Sequence, residues 1–436
     1  MRAGVDVGPT NTDAAHLADD GSVLATVKVA SVPGDPAAGV RAALARLPRR
    51  ELTHVAVGLR ATAASVVRRQ GLRKVGVLRI GGAPARAVRP LSGWPPDLRE
   101  AVSAGYAIVD GGGGLDPEDW APLDRDAVAR FASGVAGRAQ AVAVAGLFSP
   151  LDGDQEREAA EIVRAELGDL PIALSADLGS IGLLERENAT VLDAALSGVA
   201  GALADGLAAT LAELCPGAAV LVTRGDGTLM SLEHLARHPG LSLGSGPASV
   251  LRGAGVLAGL GDAVVADVGA RRITVGALAG GFPEEAVGGA EIGGVPVGFR
   301  VPSLIRVPVP FDPADLAEAV DRLQPGPGRL PLVVVGGGAE SVPQGLHPPH
   351  GKAAGAIGAA VSPVGGQYER IVRAPDRSAL AQAMEAVAEE ARAAAVRAGA
   401  DPRHVRILEA ADTRLAYLPG PFVKLRARAA GPPSRL

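Results

Sequence analysis

Residues 4–13 read GVDVGPTNTD, and residues 266–269 read ADVG. In both places an apolar run closes with the pattern Asp-x-Gly and then turns back into a second apolar run. A strand, a glycine-containing turn and a return strand are typical of a β-hairpin. This weak internal repeat predicts two lobes, each carrying an Asp-bearing hairpin.

Strand and helix patterns alternate around these hairpins. Apolar strand patterns at 75–80 and 263–268 and a helical pattern at 154–167 favour sheets with helices packed on them. Residues 185–214 form one long helical pattern without proline. We therefore expect an α/β protein with an N-terminal lobe that holds the first hairpin, a second lobe that holds the second hairpin, and a small C-terminal α/β region. These regions are 1–185, 186–365 and 366–436.

The hairpin turns contain residue types that bind phosphate. Gly and Thr in a tight turn present backbone N–H groups to phosphate oxygens, and an Asp at a strand end can hold a magnesium ion. If the lobes face each other, Asp6 and Asp267 converge on one nucleotide. A later buried strand ends in Gly336, Gly337 and Gly338, where the backbone can approach an adenosine without a Cβ in the way. Each element alone is also an ordinary turn, so the prediction depends on the ordered triple.

The triple resembles the phosphate and adenosine elements of the actin, sugar kinase and Hsp70 superfamily. More closely, the chain resembles the hydantoinase A and oxoprolinase family over nearly its whole length. The segments that carry this resemblance are 4–13, 148–150 (FSP), 182–190 (GLLERENAT), 225–230 (GDGTLM), 245–247 (SGP), 267–269 (DVG) and 356–360 (AIGAA). The resemblance implies a two-lobed α/β fold of the actin-like ATPase type with a small C-terminal α/β extension.

The resemblance also implies an activity. Such enzymes are ATP- and magnesium-dependent hydrolase subunits that open a small cyclic amide or imide, of the hydantoin or oxoproline kind. ATP phosphorylates the amide oxygen and the activated ring is hydrolysed, often with a hydantoinase B-like partner subunit. Because phosphorylation gives a poor electrophile a good leaving group, positioning and charge neutralisation are the main tasks left to the protein.

Individual residues receive roles from the same resemblance. Asp6 and Asp267 are expected to be catalytic and to hold the metal, and Asp226, Thr228 and Glu187 are further active-site candidates. The residues expected to bind ATP lie in the two turns and the glycine cluster. They are Gly8, Thr10, Asn11, Thr12, Asp13, Gly269, Gly336, Gly337 and Gly338.

The phosphate loops depart from the family pattern. The family's second loop usually reads DVGGTTTD, whereas residues 267–274 read DVGARRIT, and Pro9 replaces a glycine of the first loop and removes an N–H donor. Three interpretations remain open. Arg271 and Arg272 bind the triphosphate in place of the lost donors; or ATP chemistry is altered or lost and the chain is a scaffold subunit for a hydantoinase B-like partner; or the fold supports a different reaction.

The composition excludes other functional classes. The 436 residues carry a net charge of −4, so no basic field attracts a nucleic acid, and only 3% are aromatic, which disfavours stacking platforms for bases. Four of the 43 basic residues are Lys, so a phosphate clamp must come from Arg, magnesium or backbone. No uncharged run reaches the roughly 20 apolar residues of a membrane span, and the start lacks a signal peptide's apolar stretch. We expect a cytoplasmic, oligomeric protein that binds neither nucleic acid nor membrane.

Histidine and cysteine give weaker signals. His234 and His238 are four residues apart in a helical pattern, the spacing of a metal-binding face. No third ligand accompanies them, so solvent-exposed positions near a helix end are the expected ones. Cys215 is the single cysteine, which excludes an internal disulfide, and it is expected to be a buried apolar side chain.

Overall fold

A computed structural model describes residues 1–48, 51–116, 120–179, 181–286, 289–324 and 328–434. The strands of these residues form three larger sheets and one small hairpin, and helices pack against them. The α/β fold class predicted from the sequence is confirmed.

The largest sheet combines the start, the middle and the end of the chain. Its described strands, from one edge to the other, are β19 (Arg406–Arg414), β20 (Phe422–Gly431), β18 (Val364–Arg373), β10 (Leu229–Ser231), β9 (Ala219–Thr223), β4 (His54–Leu59), β1 (Arg2–Val7), β2 (Asn11–Leu17) and β3 (Val23–Ala30). At its centre β1, β4 and β9 are parallel, whereas β2 is antiparallel to β1. The carboxyl ends of these three parallel strands therefore meet at one edge.

The second sheet repeats this local arrangement. Its path is β13 (Phe282–Pro283), β12 (Arg272–Ala279), β11 (Ala263–Val268) and β17 (Leu332–Val335), and β16 (Leu304–Pro308) also pairs with β12. The central strand β11 is antiparallel to β12 and parallel to β17. In the first sheet β1 has the same two neighbours, the antiparallel β2 and the parallel β4. The sequence repeat is therefore a repeat of topology.

A third, parallel sheet and a short hairpin complete the described strands. The sheet contains β6 (Ser103–Val109), β5 (Val75–Ile80), β7 (Ala141–Gly146) and β8 (Ile172–Leu174), and the hairpin contains β14 (Ala290–Ile292) and β15 (Val295–Val297). Every residue of β5 and β7 is buried, as expected for parallel strands covered on both faces.

Helices connect and cover these sheets. They are α1 (Pro36–Leu44), α2 (Ala61–Arg68), α3 (Pro96–Val102), α4 (Arg125–Val135), α5 (Asp154–Leu167), α6 (Ser175–Leu178), α7 (Leu183–Leu214), α8 (Leu232–Arg237), α9 (Ser245–Ala258), α10 (Pro313–Arg322), α11 (Ala354–Val361) and α12 (Arg377–Arg397). Several begin at an aspartate whose carboxylate accepts a first-turn N–H, as Asp35, Asp124 and Asp376 do for α1, α4 and α12.

The long helix α7 is the one described helix that is long and apolar enough to cross a membrane, judged by length and composition alone. Of its most apolar window, 44% is buried inside the protein. It packs against α1, α2 and β7, and its buried face joins the apolar cores of two sheets. These contacts are those of a core helix.

Glycines allow α9, α11 and β1 to pack at backbone distance. A Cβ on Gly358 of α11 would lie 2.8 Å from the Gly253 amide nitrogen of α9, and a Cβ on Gly4 of β1 would lie 2.7 Å from the Ala360 amide nitrogen. Real Cβ atoms do not approach so closely, so these positions require glycine. Because α11 covers the strand that carries Asp6, this packing sets the first hairpin against the second lobe.

The three predicted regions share the largest sheet. Strands β1 to β4 come from 1–185, β9 and β10 come from 186–365, and β19 and β20 come from 366–436. The division at 185 and 365 stays a prediction. The sheet shows that the C-terminal segment completes the same layer that carries the first hairpin.

Candidate functional site

The two Asp-bearing hairpins have the same local structure. In each, the aspartate (Asp6 or Asp267) is the second-last residue of its strand, and the glycine two residues later closes the turn by donating to the carbonyl three residues further on. These bonds are Gly8 N–H to Asn11 O (2.9 Å) and Gly269 N–H to Arg272 O (3.0 Å). Both turns therefore present equivalent positions at the ends of equivalent strands.

Both hairpins converge on Arg60, which directly follows β4. Its Nη2 lies 3.1 Å from Oδ2 of Asp6. The charge of Asp6, and more weakly the charges of Asp267 and Asp13, raises the pKa of Arg60 against the opposing effect of burial. Arg60 therefore contacts Asp6 directly, and the charges of Asp267 and Asp13 act on it from the same neighbourhood.

Two carboxyl groups of this cluster have pKa values above their ordinary range. Burial raises the pKa of Asp267 to about 6; Arg60 opposes this rise and Asp6 adds to it. Burial also raises the pKa of Asp13, although Lys28 lies 3.0 Å from its Oδ1 and opposes the rise. We call the space around Asp6, Asp13, Arg60 and Asp267 the cleft. Additional positive charge there would be bound favourably only where Arg60 and Lys28 leave a carboxylate uncompensated.

A glycine packs against the side chain of each aspartate. A Cβ on Gly355 of α11 would be 2.5 Å from Oδ2 of Asp6, and a Cβ on Gly336 would be 2.5 Å from Oδ1 of Asp267. Gly336 also has a φ of +96°, which favours glycine. The Gly338 N–H donates to the Val268 carbonyl at 2.9 Å. The predicted glycine cluster, with Gly337 at its centre, therefore packs directly on the second hairpin.

The turn residues divide into exposed and buried groups. Thr10 and Asn11 are exposed at the first turn, whereas Thr12 is fully buried and its hydroxyl is 2.9 Å from Ser31 Oγ. Thr12 therefore supports the hairpin from inside. A nucleotide contact at Thr12 stays a prediction, as do the contacts expected at the other turn residues.

Arg271 and Arg272 are both exposed at the second turn. Arg272 opposes the rise in the pKa of Asp267, so its charge acts on the carboxylate cluster. The Arg271 carbonyl accepts a hydrogen bond from the Val309 amide at 3.0 Å. Both side chains are accessible to an anion from solvent, and Arg272 has the closer electrostatic link to the cleft.

The magnesium ion expected at Asp6 and Asp267 meets a position already held by a cation. Oδ2 of Asp6 accepts a hydrogen bond from Arg60. The other carboxylate oxygen, Oδ1, is buried and has no hydrogen-bond partner among the described residues. A divalent ion bound to Asp6 would lie beside the Arg60 guanidinium and be repelled by it. The described residues also contain no group of three His, Cys, Asp or Glu placed for a metal. With Arg60 in place, the residues present do not fit a directly coordinated magnesium ion.

Asp226 and Thr228 lie together in the turn between β9 and β10. Oδ1 of Asp226 accepts from the Thr228 amide at 3.0 Å and from its hydroxyl at 2.6 Å. Burial works against the charge of Asp226, but Arg224 and Arg428 outweigh it, so the pKa of Asp226 is lowered. Both side chains are buried in this turn, and their expected role in the chemistry stays a prediction.

Glu187 lies in the interior on α7. Each of its two carboxylate oxygens accepts a 2.6 Å hydrogen bond from a nitrogen of Arg79. Both side chains are 1% exposed. Such a bidentate pair holds α7 against β5. The geometry gives Glu187 a structural partner, and a catalytic role for it stays a prediction.

A cavity of about 630 Å³ is lined by α6, the start of α7, α8, β18 and α12. The Arg300 side chain lies in the cavity wall, where its nitrogens are 2.5 Å from a carboxylate oxygen of Glu285 and 2.8 Å from one of Glu369. Nζ of Lys424 lies 3.3 Å from the Glu369 carboxylate. Arg224 also lines the cavity and is 4% exposed. Its Nη1 donates to the Gly365 carbonyl at 2.6 Å, and its Nε has no partner within the described part of the chain. The cavity suits a small polar molecule.

The cavity and the Asp6 cleft lie at the same edge of the largest sheet. In the sheet register, Asp6 lies beside Gly58 of β4, and Val57 lies beside Val222 of β9, two residues before Arg224. Neighbouring strands are about 4.8 Å apart, so the backbones near Asp6 and Arg224 are separated by roughly 10 Å. The two sites therefore share this edge of the sheet, although no described residue that lines the cavity is Asp6, Asp13, Arg60 or Asp267.

The two histidines also line this cavity. Their ring centroids are 4.9 Å apart, and burial lowers the pKa of His234 to about 2 and that of His238 to about 4, with Arg224 adding to both shifts. Both rings are partly exposed, so they are less open to solvent than the sequence indicated. Uncharged imidazoles beside Arg224 give this wall donors and acceptors for a polar ligand. Cys215 is partly buried, and burial raises its pKa.

Sequence reasoning missed Arg60 and most of the cavity. A single Arg after a buried strand is common, and its contact with Asp6 depends on two strands that are 50 residues apart in the chain. The cavity side chains Arg300, Glu369 and Lys424 are likewise distant in sequence. The available signal was the scarcity of Lys, which left Arg, magnesium or backbone to bind a phosphate.

Comparisons with known proteins agree with this fold. The model of the hydantoinase/oxoprolinase N-terminal region matches residues 2–167, and the hydantoinase/oxoprolinase model matches residues 186–301. No curated protein matches the chain.

Among solved structures, a nucleotide-free acetone carboxylase, from work on ATP-dependent acetone carboxylation, superposes with a TM-score of 0.71 at 15% identity. An ATP-dependent caprolactamase from Pseudomonas jessenii superposes with a TM-score of 0.69 at 16% identity. In each case the match covers 100% of this chain and 88% of the other chain. These likenesses agree with the expected actin-like ATPase fold. With the two family matches, they confirm the resemblance that the sequence motifs indicated: the chain belongs to the hydantoinase/oxoprolinase family.

Proposed function

We propose that the chain is an ATP-dependent hydrolase subunit that opens a small cyclic amide or imide of the hydantoin or oxoproline kind. The observation that carries the proposal is the convergence of two matching Asp-bearing hairpins on one cluster, with a polar cavity at the same edge of the largest sheet. The structural neighbours described as ATP-dependent, one a caprolactamase and one an acetone carboxylase, support ATP use here.

In this proposal the hairpins bind ATP and the cavity binds the ring. The triphosphate lies between the hairpins, where Arg60 and Arg272 offset its charge. The ring lies in the cavity, where Arg224 and Arg300 orient its polar atoms. The amide oxygen attacks the terminal phosphorus as the bond to ADP breaks. Water then adds to the activated carbon and the ring C–N bond breaks, with a proton passing to the nitrogen, which leaves an acyl phosphate. A second water releases the phosphate from this intermediate. The sum is ring, ATP and two waters to the ring-opened carboxylic acid, ADP and phosphate.

The tasks of the protein in this scheme are positioning and electrostatics. Holding the ring's carbonyl oxygen in line with the terminal phosphate is the task of the shared sheet edge, since rigid parallel strands carry both sites. The buried Nε of Arg224 offers a charged donor to an oxygen of the ring or of the transferred phosphate. Burial makes such a donor stronger than it is in water.

A second candidate is a family member without ATP chemistry that acts as a scaffold for a hydantoinase B-like partner. Arg60 favours it, because this cation already neutralises Asp6. The second turn favours it too, since Ile273 is fully buried and provides no hydroxyl where the family usually has one. Such a chain would bind its partner stably and release no phosphate.

Phosphate release distinguishes these candidates. With ATP and a panel of hydantoin, 5-oxoproline and succinimide, we expect one ring to stimulate release with stoichiometric ring opening. Filling the cavity by Ala394→Trp should reduce the stimulated rate by at least about tenfold, because the ring loses its place. The assay is repeated with a hydantoinase B-like partner added.

Ala381→Trp is the matched control, since Ala381 is exposed on the same helix, α12, and lies outside the cavity lining. It should keep the wild-type rate. Absence of phosphate release with every ring, with and without partner, would instead support the scaffold. Equal rates in the two tryptophan variants would remove the cavity from the proposal.

A further inference from the structure

We propose that Arg60 is the resident cation of the phosphate cleft and takes the place of a divalent metal. Phosphate binding by this chain is then independent of magnesium. The identity of the anion rests on the proposed function, whereas the exclusion of the metal rests on the described geometry alone.

Arg60 is held in place by its surroundings. It is the N-cap residue of α2, directly after β4, and the Ser245 hydroxyl at the start of α9 donates to the carbonyl of the preceding Leu59 at 2.9 Å. A Cβ on Gly246 would be 2.9 Å from Cζ of Arg60, so the guanidinium packs on the bare first turn of α9. Its position is thus fixed by β4, α2 and α9 together.

Two of the three carboxylates in the cleft already face fixed cations. Asp6 has Arg60 at 3.1 Å, and Asp13 has Lys28 at 3.0 Å. A magnesium ion usually binds through one or two carboxylates together with substrate phosphates. Here the carboxylate of the first hairpin, Asp6, already has a guanidinium beside it.

One buried donor shows where an anion would bind. Nε of Arg60 is buried and has no partner in the described residues. Asp6 itself is 8% exposed, while the Arg60 side chain keeps 34% of its surface open. An anion that enters the cleft meets this open guanidinium, and the amides at the start of α9 favour negative charge beside it. Arginine binds phosphate oxygens with two parallel N–H donors, which fits this arrangement.

The first arm of the test uses a metal alone. Mn²⁺ is titrated into the full chain and free Mn²⁺ is followed by electron paramagnetic resonance. Wild type should not bind Mn²⁺ in the cleft, whereas Arg60→Met should bind it at least about tenfold more tightly, because a repelling charge is removed. Arg60→Lys keeps the charge and should resemble wild type. Arg86→Met removes an exposed pair with Asp110 outside the cleft and should change nothing.

The second arm measures ATP binding by calorimetry with EDTA or with excess magnesium. Wild-type affinity should agree in the two conditions within about threefold, and Arg60→Met should require the metal. Tight Mn²⁺ binding by wild type, or ATP binding that EDTA abolishes in wild type, would overturn the proposal. No ATP binding by any variant in either condition would reject the proposed function, while the Mn²⁺ arm would still decide the role of Arg60.

Discussion

Gly358→Ala should leave little folded protein, because the new methyl group would meet backbone on the opposing helix. In the native packing a Cβ at this position would press on the Ser249 carbonyl and lie 2.8 Å from the Gly253 amide nitrogen. Neither atom can rotate away, so α9 and α11 must separate. Overpacking costs 1–3 kcal/mol in ordinary cores, and we expect about 3 kcal/mol or more here, since backbone meets backbone. The thermal midpoint and the soluble yield are the measurements.

Gly201→Ala is the matched control for this change. Gly201 lies in the middle of α7, and a Cβ there would meet none of the described atoms within 4 Å. Replacing a helical glycine by alanine at such an open position stabilises by about 0.4–1 kcal/mol. A normal thermal midpoint for Gly358→Ala, equal to that of Gly201→Ala, would show that α9 and α11 are not in backbone contact.

Arg79→Met should destabilise the chain by about 3–5 kcal/mol, because it leaves the Glu187 carboxylate buried without its counter-charge. Arg79 also donates through Nη1 to the Ala85 carbonyl at 2.8 Å. Replacing Arg79 therefore leaves the Ala85 carbonyl, as well as Glu187, without this hydrogen-bond donor. Urea unfolding followed by tryptophan fluorescence reports on this region directly, since the Trp94 indole donates to Asn188 beside Glu187 at 2.7 Å. The change appears as a lower urea midpoint.

Two further variants make this prediction specific. Arg41→Met breaks an ion pair with Glu213, in which the two side chains are 44% and 63% exposed, and should cost less than about 1 kcal/mol. Arg79→Met combined with Glu187→Leu removes both charges and should recover much of the loss, because no unpaired carboxylate remains. If the single and double Arg79 variants were equally unstable, packing and not charge would explain the effect.

Local patterns predicted the elements whose apolar periodicity is regular. The helix at 154–167 and the strands at 75–80 and 263–268 have the boundaries that the sequence indicated. Each is bounded by turn residues and lies in a buried or amphipathic setting, so local preference and tertiary structure agree. The paired hairpins were also predictable, because each is contained within about 20 residues.

Elements that depend on distant contacts were not predictable. Strand β18 begins Val364-Gly365-Gly366, a weak strand pattern, because Gly366 must let the backbone of α12 approach: a Cβ there would press on Ala395. The edge strand β6 was missed because its partner β5 lies across an intervening helix. The charge cluster around Arg60 similarly depends on which strands become neighbours, and no local pattern encodes that.

Calorimetric titration of ATP into three proteins tests whether the two hairpins form one site for its phosphates. Thr10 is exposed at the tip of the first turn and Thr26 is exposed on β3, so Thr10→Glu and Thr26→Glu add the same charge at two exposed positions. We predict one ATP per chain in wild type and Thr26→Glu, and binding at least about tenfold weaker in Thr10→Glu, because the added carboxylate repels the phosphates. Equal affinity in all three proteins, or no binding at millimolar ATP, would show that the hairpins do not form this site.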